Sequence, residues 1–465
     1  MAVQRRLFKL AAATGFGAIT AASLVASGAP AQAAPTARPD IVGHVLGQFS
    51  AAQPPTSAQC LAANGLACYD PSQIEAHYGL DSLHDSGITG AGKTIVIVDS
   101  YGSPTIRHDL KTFDAVFHLP AASLSIIQPV GAVPPFDPTN STMVGWAEET
   151  TLDVEWSHTI APGAKILLVE TPVAETEGAV GFPQIVAAEN YVINHHLGDV
   201  ISQSFGATEP TFSSPAKLMS LRSAFVNAAA NHVTVLAAAG DNGATDNFFD
   251  GGCCFAHHVN SWPSSDPLVT SVGGTELIPH ANGYPEPVSH DVVWQDPASI
   301  VGGPAGQTCC AGGGGPSAVF SRPAYQNSVA SVVGDDRGTP DISMSASLSG
   351  AVLVFWSFQP FGPAYFQIAG TSEASPMFSG IVAMADQMAG HDLGQLNPRL
   401  YALAQTANSG IVDVTQGGNG MTFPDAHRGN AVVTVAGYNA GAGYDMASGL
   451  GTIDGAVFIP ALAGI

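Results

Sequence analysis

The sequence predicts an α/β fold in which a parallel central sheet is flanked by helices within one large domain. Three observations point there. Apolar runs of strand length stand at Thr94 to Asp99, Lys165 to Glu170, Asp199 to Ser204, Val233 to Ala239, Leu268 to Val272 and Ala351 to Trp356. Helical stretches, Glu148 to Ile160, Phe182 to His196, Pro215 to Asn231 and Ser375 to Met388, separate several of them. The chain is also long enough to bury an extended sheet, with about 430 of its 465 residues left once a leader is set aside.

Taken in chain order, residues 1–33 read as an export signal. Arg5, Arg6 and Lys9 lead, an apolar stretch runs from Leu10 to Val25, and Ala31-Gln32-Ala33 offers a small-residue cleavage site. Residues 34–68, rich in Ala, Pro and Gln with little periodicity, read as a short N-terminal arm. The folded domain is expected over 69–465, and no later segment looks transmembrane. Gly302 to Gly315 and Gly417 to Gly443 are Gly-rich loops, and long loops in compact domains tend to be functional.

Charge excludes one class of partner. The chain carries 37 Asp plus Glu against 14 Lys plus Arg, and four of those bases (Arg5, Arg6, Lys9, Arg38) precede residue 40, so ten face all the acids. Nucleic acid is not an expected partner. Such a chain repels itself less as its carboxylates protonate, which fits an acidic working environment and equally fits plain solubility. Six cysteines, Cys60, Cys68 and the vicinal pairs Cys253-Cys254 and Cys309-Cys310, suit disulfides in an exported protein. Of the possible pairings, a Cys60 to Cys68 bridge and cross-links between the two vicinal pairs are expected; no spacing resembles a zinc ligand set.

Three segments carry chemistry. Gly370-Thr371-Ser372-Glu373-Ala374-Ser375-Pro376 places Ser372 at a helix N-terminus, where the dipole and its own N–H favour a developing oxyanion. The same segment also reads as a helix cap. Val233 to Ala239 ends in Gly240-Asp241-Asn242-Gly243, a good turn former; Asp241 donates a hydrogen bond to an oxyanion only while it keeps its proton. Glu149 and Asp153, four apart, share one helix face and can share a proton, or they form a solvated acidic face. Such a pair serves as a general base at a pH where imidazole is fully protonated.

Together these segments resemble the sedolisin family of serine-carboxyl peptidases, in the same clan as the subtilisins. The block Gly370-Thr-Ser-x-x-x-Pro376 is similar to the nucleophile motif both families share. Subtilisins carry H-G-T-H on the helix that ends in a turn like Ala161-Pro-Gly-Ala164, and Asn at the oxyanion position. This chain has no H-G-T-H; it has the sedolisin-like Glu149-x-x-x-Asp153, and Asp241 for Asn. Further matches, Val272-Gly-Gly-Thr275, Gly313-Gly-Gly-Pro-Ser317 and Asn397-Pro398, spread the likeness over about residues 69 to 460. One departure is that sedolisins usually carry a long propeptide, while fewer than 50 residues separate the signal from the first matching segment.

The resemblance implies a secreted, acid-active endopeptidase with a subtilisin-like fold, acting on polypeptides as a monomer, with no membrane attachment after signal removal. By it Ser372 is the nucleophile, Glu149 the general base, Asp153 its orienting partner and Asp241 the oxyanion stabiliser. Release of tripeptides is the family's other mode. The resemblance also implies one calcium ion, held by Asp413, Val414, Gly441, Gly443 and Asp445, since calcium takes hard oxygen ligands. Two rivals were weighed: a subtilisin-like peptidase using Asp99 with His108 or His158, and a silent binding protein. Otherwise Asp99 is expected to have a structural or supporting role.

Overall fold

The computed structural model describes residues 42–44, 53–250 and 252–465. The expected export signal, and residues 34–41 and 45–52 of the arm, lie outside the described residues. Among them, no helix is long and apolar enough to cross a membrane.

Eight strands form the central sheet: β1 (Thr94–Ser100), β2 (Ser123–Ile127), β3 (Lys165–Thr171), β4 (Val200–Gln203), β5 (Thr234–Ala238), β6 (Thr270–Glu276), β7 (Val292–Val293) and β8 (Ile342–Ser345). Their order is β7-β6-β5-β4-β1-β3-β2, with β8 also pairing β6. All neighbours are parallel except β6 with β7. The chain lays down β2 and β3 on one side of β1 and β4 onward on the other, so the direction of winding reverses between β1 and β4. A crevice opens there at the strands' C-terminal ends, where open α/β sheets bind ligands. β1 is buried from Ile95 to Ser100 and β4 throughout, as expected of strands covered on both faces.

Five of the six expected strands lie in this sheet. The sixth, Ala351–Trp356, belongs to a second one: it pairs antiparallel with Ala364–Ala369 and parallel with Cys68–Tyr69, and Val42–His44 adds to the far edge. A fully buried apolar run satisfies either sheet equally, so burial pattern alone could not divide them. Between the layers run α1 (Ile106–Phe117), α2 (Ser141–Ile160) and α3 (Thr371–Ala389). The expected helix at Pro215 to Asn231 is two, Pro215–Met219 and Ser223–Ala230.

α2 is a core helix, with 17 of its 20 residues buried. It begins seven residues before its expected start, where the Asn140 side chain accepts from the Thr142 and Met143 N–H groups. α3 packs against it closely enough that a Cβ on Gly380 would stand 2.6 Å from Ile160 Cβ. α3 also starts early, at Thr371, so Pro376 sits in its second turn and donates no hydrogen bond back to the Ser372 carbonyl. The Ser204 hydroxyl reaches that carbonyl instead, at 3.4 Å.

Within the arm, Ser57–Asn64 is a helix with a Thr56–Gln59 capping box, fixed by a Cys60–Cys68 disulfide as expected. One expectation is corrected. The vicinal cysteines do not cross-link to each other's pairs; Cys253 bonds Cys254 and Cys309 bonds Cys310. The two pairs lie in different apolar clusters, Cys253 and Cys254 with Ala311, Met421 and Phe423, and Cys309 and Cys310 with Trp294 and Ile300.

Candidate active site

Four elements meet at the crevice. α2 supplies Glu149 and Asp153, the start of α3 supplies Ser372, the turn after β5 supplies Asp241, and the end of β1 supplies Asp99. Ser372 is 1% exposed, and Glu149, Asp153 and Asp99 are fully buried. A buried acid pair on a core helix is not a solvated face. Ser202 on β4 and Ser375 on α3 are joined through their hydroxyls at 2.9 Å, which fixes the serine's helix to the sheet.

The carboxyls form a chain. Burial, then the charges of Asp153 and Asp99, push Glu149 well above the usual carboxylate range, and the Ser372 hydroxyl pulls it back. Burial and Asp99 likewise raise Asp153, against a hydrogen bond of 2.8 Å from the Ser204 hydroxyl to its Oδ1. Asp99 is pushed up to about 7 by burial, eased by Thr150. Ser372 Oγ, both Glu149 oxygens and Asp153 Oδ2 have no partner of good hydrogen-bond geometry. Ser372 thus acts on Glu149 from a loose contact, as is common before a substrate arrives. Three carboxyls this close cannot all ionise together; they titrate as a unit and hold protons among them.

Asp241 is arranged differently. Its Oδ1 accepts from both the N–H and the hydroxyl of Thr371, each at 2.8 Å, while the Thr371 hydroxyl accepts from the Gly240 N–H at 3.0 Å. Oδ2 is buried and unpartnered. Burial pushes Asp241 up to about 7 despite the two bonds from Thr371. With Oδ1 occupied, a proton held by Asp241 sits on Oδ2, which no described residue engages. A recess lined by Ser204, Phe205, Gly206, Ala238, Gly240 and Ser261 adjoins Ser372.

The histidines weighed as alternatives stand elsewhere. His108 is exposed on α1, and His158 is buried with Nε2 2.9 Å from the Pro120 carbonyl and 3.4 Å from Asp114. The groups acting on Glu149 and Asp153 are carboxyls and hydroxyls, with no imidazole among them. Three contributors escaped the sequence reading. Asp99 was read as supporting or as part of a histidine triad, yet it extends the acid chain. Ser204 and Thr371 carried no signal beyond adjacency to a strand end and to Ser372.

Near the C-terminus the expected metal loop is gathered. The Gly443 N–H donates to Asp413 Oδ2 at 2.9 Å and the Gly441 N–H to Asp445 Oδ2 at 3.0 Å. Asp445 Oδ1 accepts from Ala447 N, Ser448 N and the Ser448 hydroxyl. Val414 is buried beside Asp413. These hydrogen bonds bring the two carboxylates, a hard-oxygen donor type, to the Gly-rich segment from Gly441 to Asp445.

A profile described as the subtilase family matches residues 140–419. Kumamolisin of Bacillus sp. (strain MN-32) is 31% identical over 384 residues, 81% of this chain and 61% of its own length. Sedolisin of Pseudomonas sp. (strain 101) is 28% identical over 444 residues, 92% of this chain and 68% of its own. This chain thus spans about two thirds of those relatives or a little less. The solved structure of the Pseudomonas sedolisin, a serine-carboxyl proteinase complexed with two molecules of pseudo-iodotyrostatin, superposes with a TM-score of 0.68 at 25% identity, covering 86% of this chain and 99% of that one.

Proposed function

This chain belongs to the subtilase family and, within it, to the sedolisin group of serine-carboxyl peptidases, and from that premise we propose that it is a secreted, acid-active endopeptidase working through an acyl-enzyme on Ser372. The observation that carries the reading is a buried serine at a helix N-terminus facing a chain of carboxyls, with no imidazole among the groups that act on them.

The Ser372 oxygen attacks the substrate carbonyl as Glu149 accepts its proton; Asp153, held by Ser204, orients Glu149. The tetrahedral oxyanion is stabilised by the Ser372 N–H and the protonated Oδ2 of Asp241, which Thr371 turns toward it by saturating Oδ1. Glu149 then gives its proton to the leaving amine, and water repeats the sequence to release the acyl group. Glu149 must be free of its proton while Asp241 keeps its own. Proton loss from the Glu149–Asp153–Asp99 chain opens activity, and proton loss from Asp241 closes it.

Asp413, Asp445 and the carbonyls of Val414, Gly441 and Gly443 would hold calcium, which when bound ties the loop after Val412 to the loop before Thr452. The test is cleavage of denatured casein from about pH 2.5 to about pH 8, with wild type beside Ser372→Ala and Glu149→Gln. Activity confined to acid and lost in both variants is expected. A neutral or alkaline optimum indifferent to Glu149 would overturn the reading.

A further inference from the structure

A second cavity opens at the C-terminal ends of β1, β2 and β3, with a volume of about 190 Å³. That is the space of roughly six waters. Its lining combines the apolar Tyr101, Val133, Pro134, Phe136 and Met143 with the polar Ser103, Gln128 and Glu170. Apolar side chains beside a single carboxylate match a long cationic side chain, whose methylene stem packs on the apolar part while its head meets the acid.

Glu170 is 7% exposed, and only half of its carboxyl is used. Gln128 Nε2 donates to Oε2 at 2.7 Å, and Gln128 is aligned in turn by the Val133 N–H, which donates to its Oε1 at 3.2 Å. Glu170 Oε1 accepts no hydrogen bond from the described residues. It lies over Gly102, where a Cβ would collide with it; Gly102 also has φ +75°, so glycine serves both the turn and the space. The cation acting on Glu170 is Arg107 of α1, weaker in effect than burial and Gln128 and engaged through Nη1 with the Leu124 carbonyl at 3.0 Å.

Two links tie the cavity's lining to the candidate active site. Glu170 is the register partner of Asp99 across β1 and β3. Ser103, in the wall, accepts from the hydroxyl of Thr151, which stands on α2 between Glu149 and Asp153.

We infer that this cavity is a substrate subsite for a lysine or arginine side chain of the peptide, with Glu170 as the ionic acceptor and Gln128 as its brace. The inference rests on the peptidase reading. It is tested at the upper pH edge of activity, because burial raises Glu170 and a protonated Glu170 carries no charge, with peptides in which lysine, arginine or norleucine is scanned through the positions flanking one cleavage site, comparing kcat/KM in wild type and Glu170→Gln. At one position the cationic peptides are expected to exceed norleucine by about tenfold or more, and that ratio should fall toward unity in the variant. No cationic preference at any position, or a preference that survives Glu170→Gln, overturns the subsite. A calorimetric titration separates this from the parent reading. The lysine peptide should bind Ser372→Ala protein about tenfold more tightly than the double variant with Glu170→Gln; equal affinities overturn the subsite. A wild-type protein that cleaves none of the peptides overturns the peptidase reading instead, whatever the titration gives.

Discussion

Two buried pairs in this molecule share a spacing of four residues and have opposite characters. Arg337 and Asp341 are fully buried and form a salt bridge in which every acceptor is used: Arg337 meets both Asp341 oxygens, the Tyr401 hydroxyl adds a bond to Oδ1 at 2.9 Å and the Ser271 N–H one to Oδ2 at 2.9 Å. Glu149 and Asp153 are as deeply buried, yet the neighbour each meets is another acid, and Glu149 has no well-formed partner. The first pair is neutralised by a counter-ion; the second is neutralised by protons. A chain with few bases has reserved a cation for its scaffold and left its reactive acids to the solvent's acidity.

The sharpest way to break this comparison is to remove proton exchange from one pair and the counter-ion from the other. Glu149→Gln should lower kcat by about a thousandfold or more, the scale on which a base acting with its nucleophile is lost, while the folded protein survives heating as well as wild type near neutral pH. A melting temperature that falls in step with activity would mean that Glu149 is scaffold. Arg337→Met strands an uncompensated carboxylate, and urea unfolding should register a loss of about 3–5 kcal/mol, with kcat of the remaining folded enzyme unaltered. If that loss is absent, the two pairs do not differ as described.

A third measurement follows stability against pH. Asp99 and Asp241 bind protons more tightly folded than unfolded, each pushed up to about 7. Their contribution is fully present below the unfolded carboxyl range near pH 4 and is lost as pH rises through about 7. The melting temperature should fall across that window, and Asp241→Asn should flatten part of the fall while moving the upper edge of the activity profile to higher pH. An unmoved profile counts against Asp241 as the oxyanion donor. The smallest effect concerns the C-terminal loop: a chelator should lower the melting temperature by a few degrees, worth about 1–3 kcal/mol at saturating ion, and Asp413→Asn should abolish the difference. Identical melting curves with and without chelator would remove calcium from the account.

Much of the site could be read in the chain because its parts are local. An acid pair four apart, a serine ahead of a helix and an Asp in a strand-end turn are each visible within a few residues, and the structure brings those four side chains together. The alternation of strands and helices was equally visible. What could not be read depends on neighbours far along the chain. Asp99 reaches the acid chain only because β1 ends beneath α2. Ala351–Trp356 joins a second sheet because an apolar run carries no mark of its partner. α2 lacks a polar face, so periodicity did not show where it begins, and only the Asn140 cap marks the start. Glu170 looked like the last residue of a buried strand until the cavity beside it appeared.

The near-contact of Gly380 with Ile160 gives the two reactive helices a pivot. Gly380 lies eight residues along α3 from Ser372, a lever arm of about 12 Å at helical rise, and Ile160 closes α2 seven residues beyond Asp153. Any swelling at that hinge pin opens the blades at the other end. The distance between proton acceptor and hydroxyl is therefore set by the missing methyl of a residue that touches neither of them.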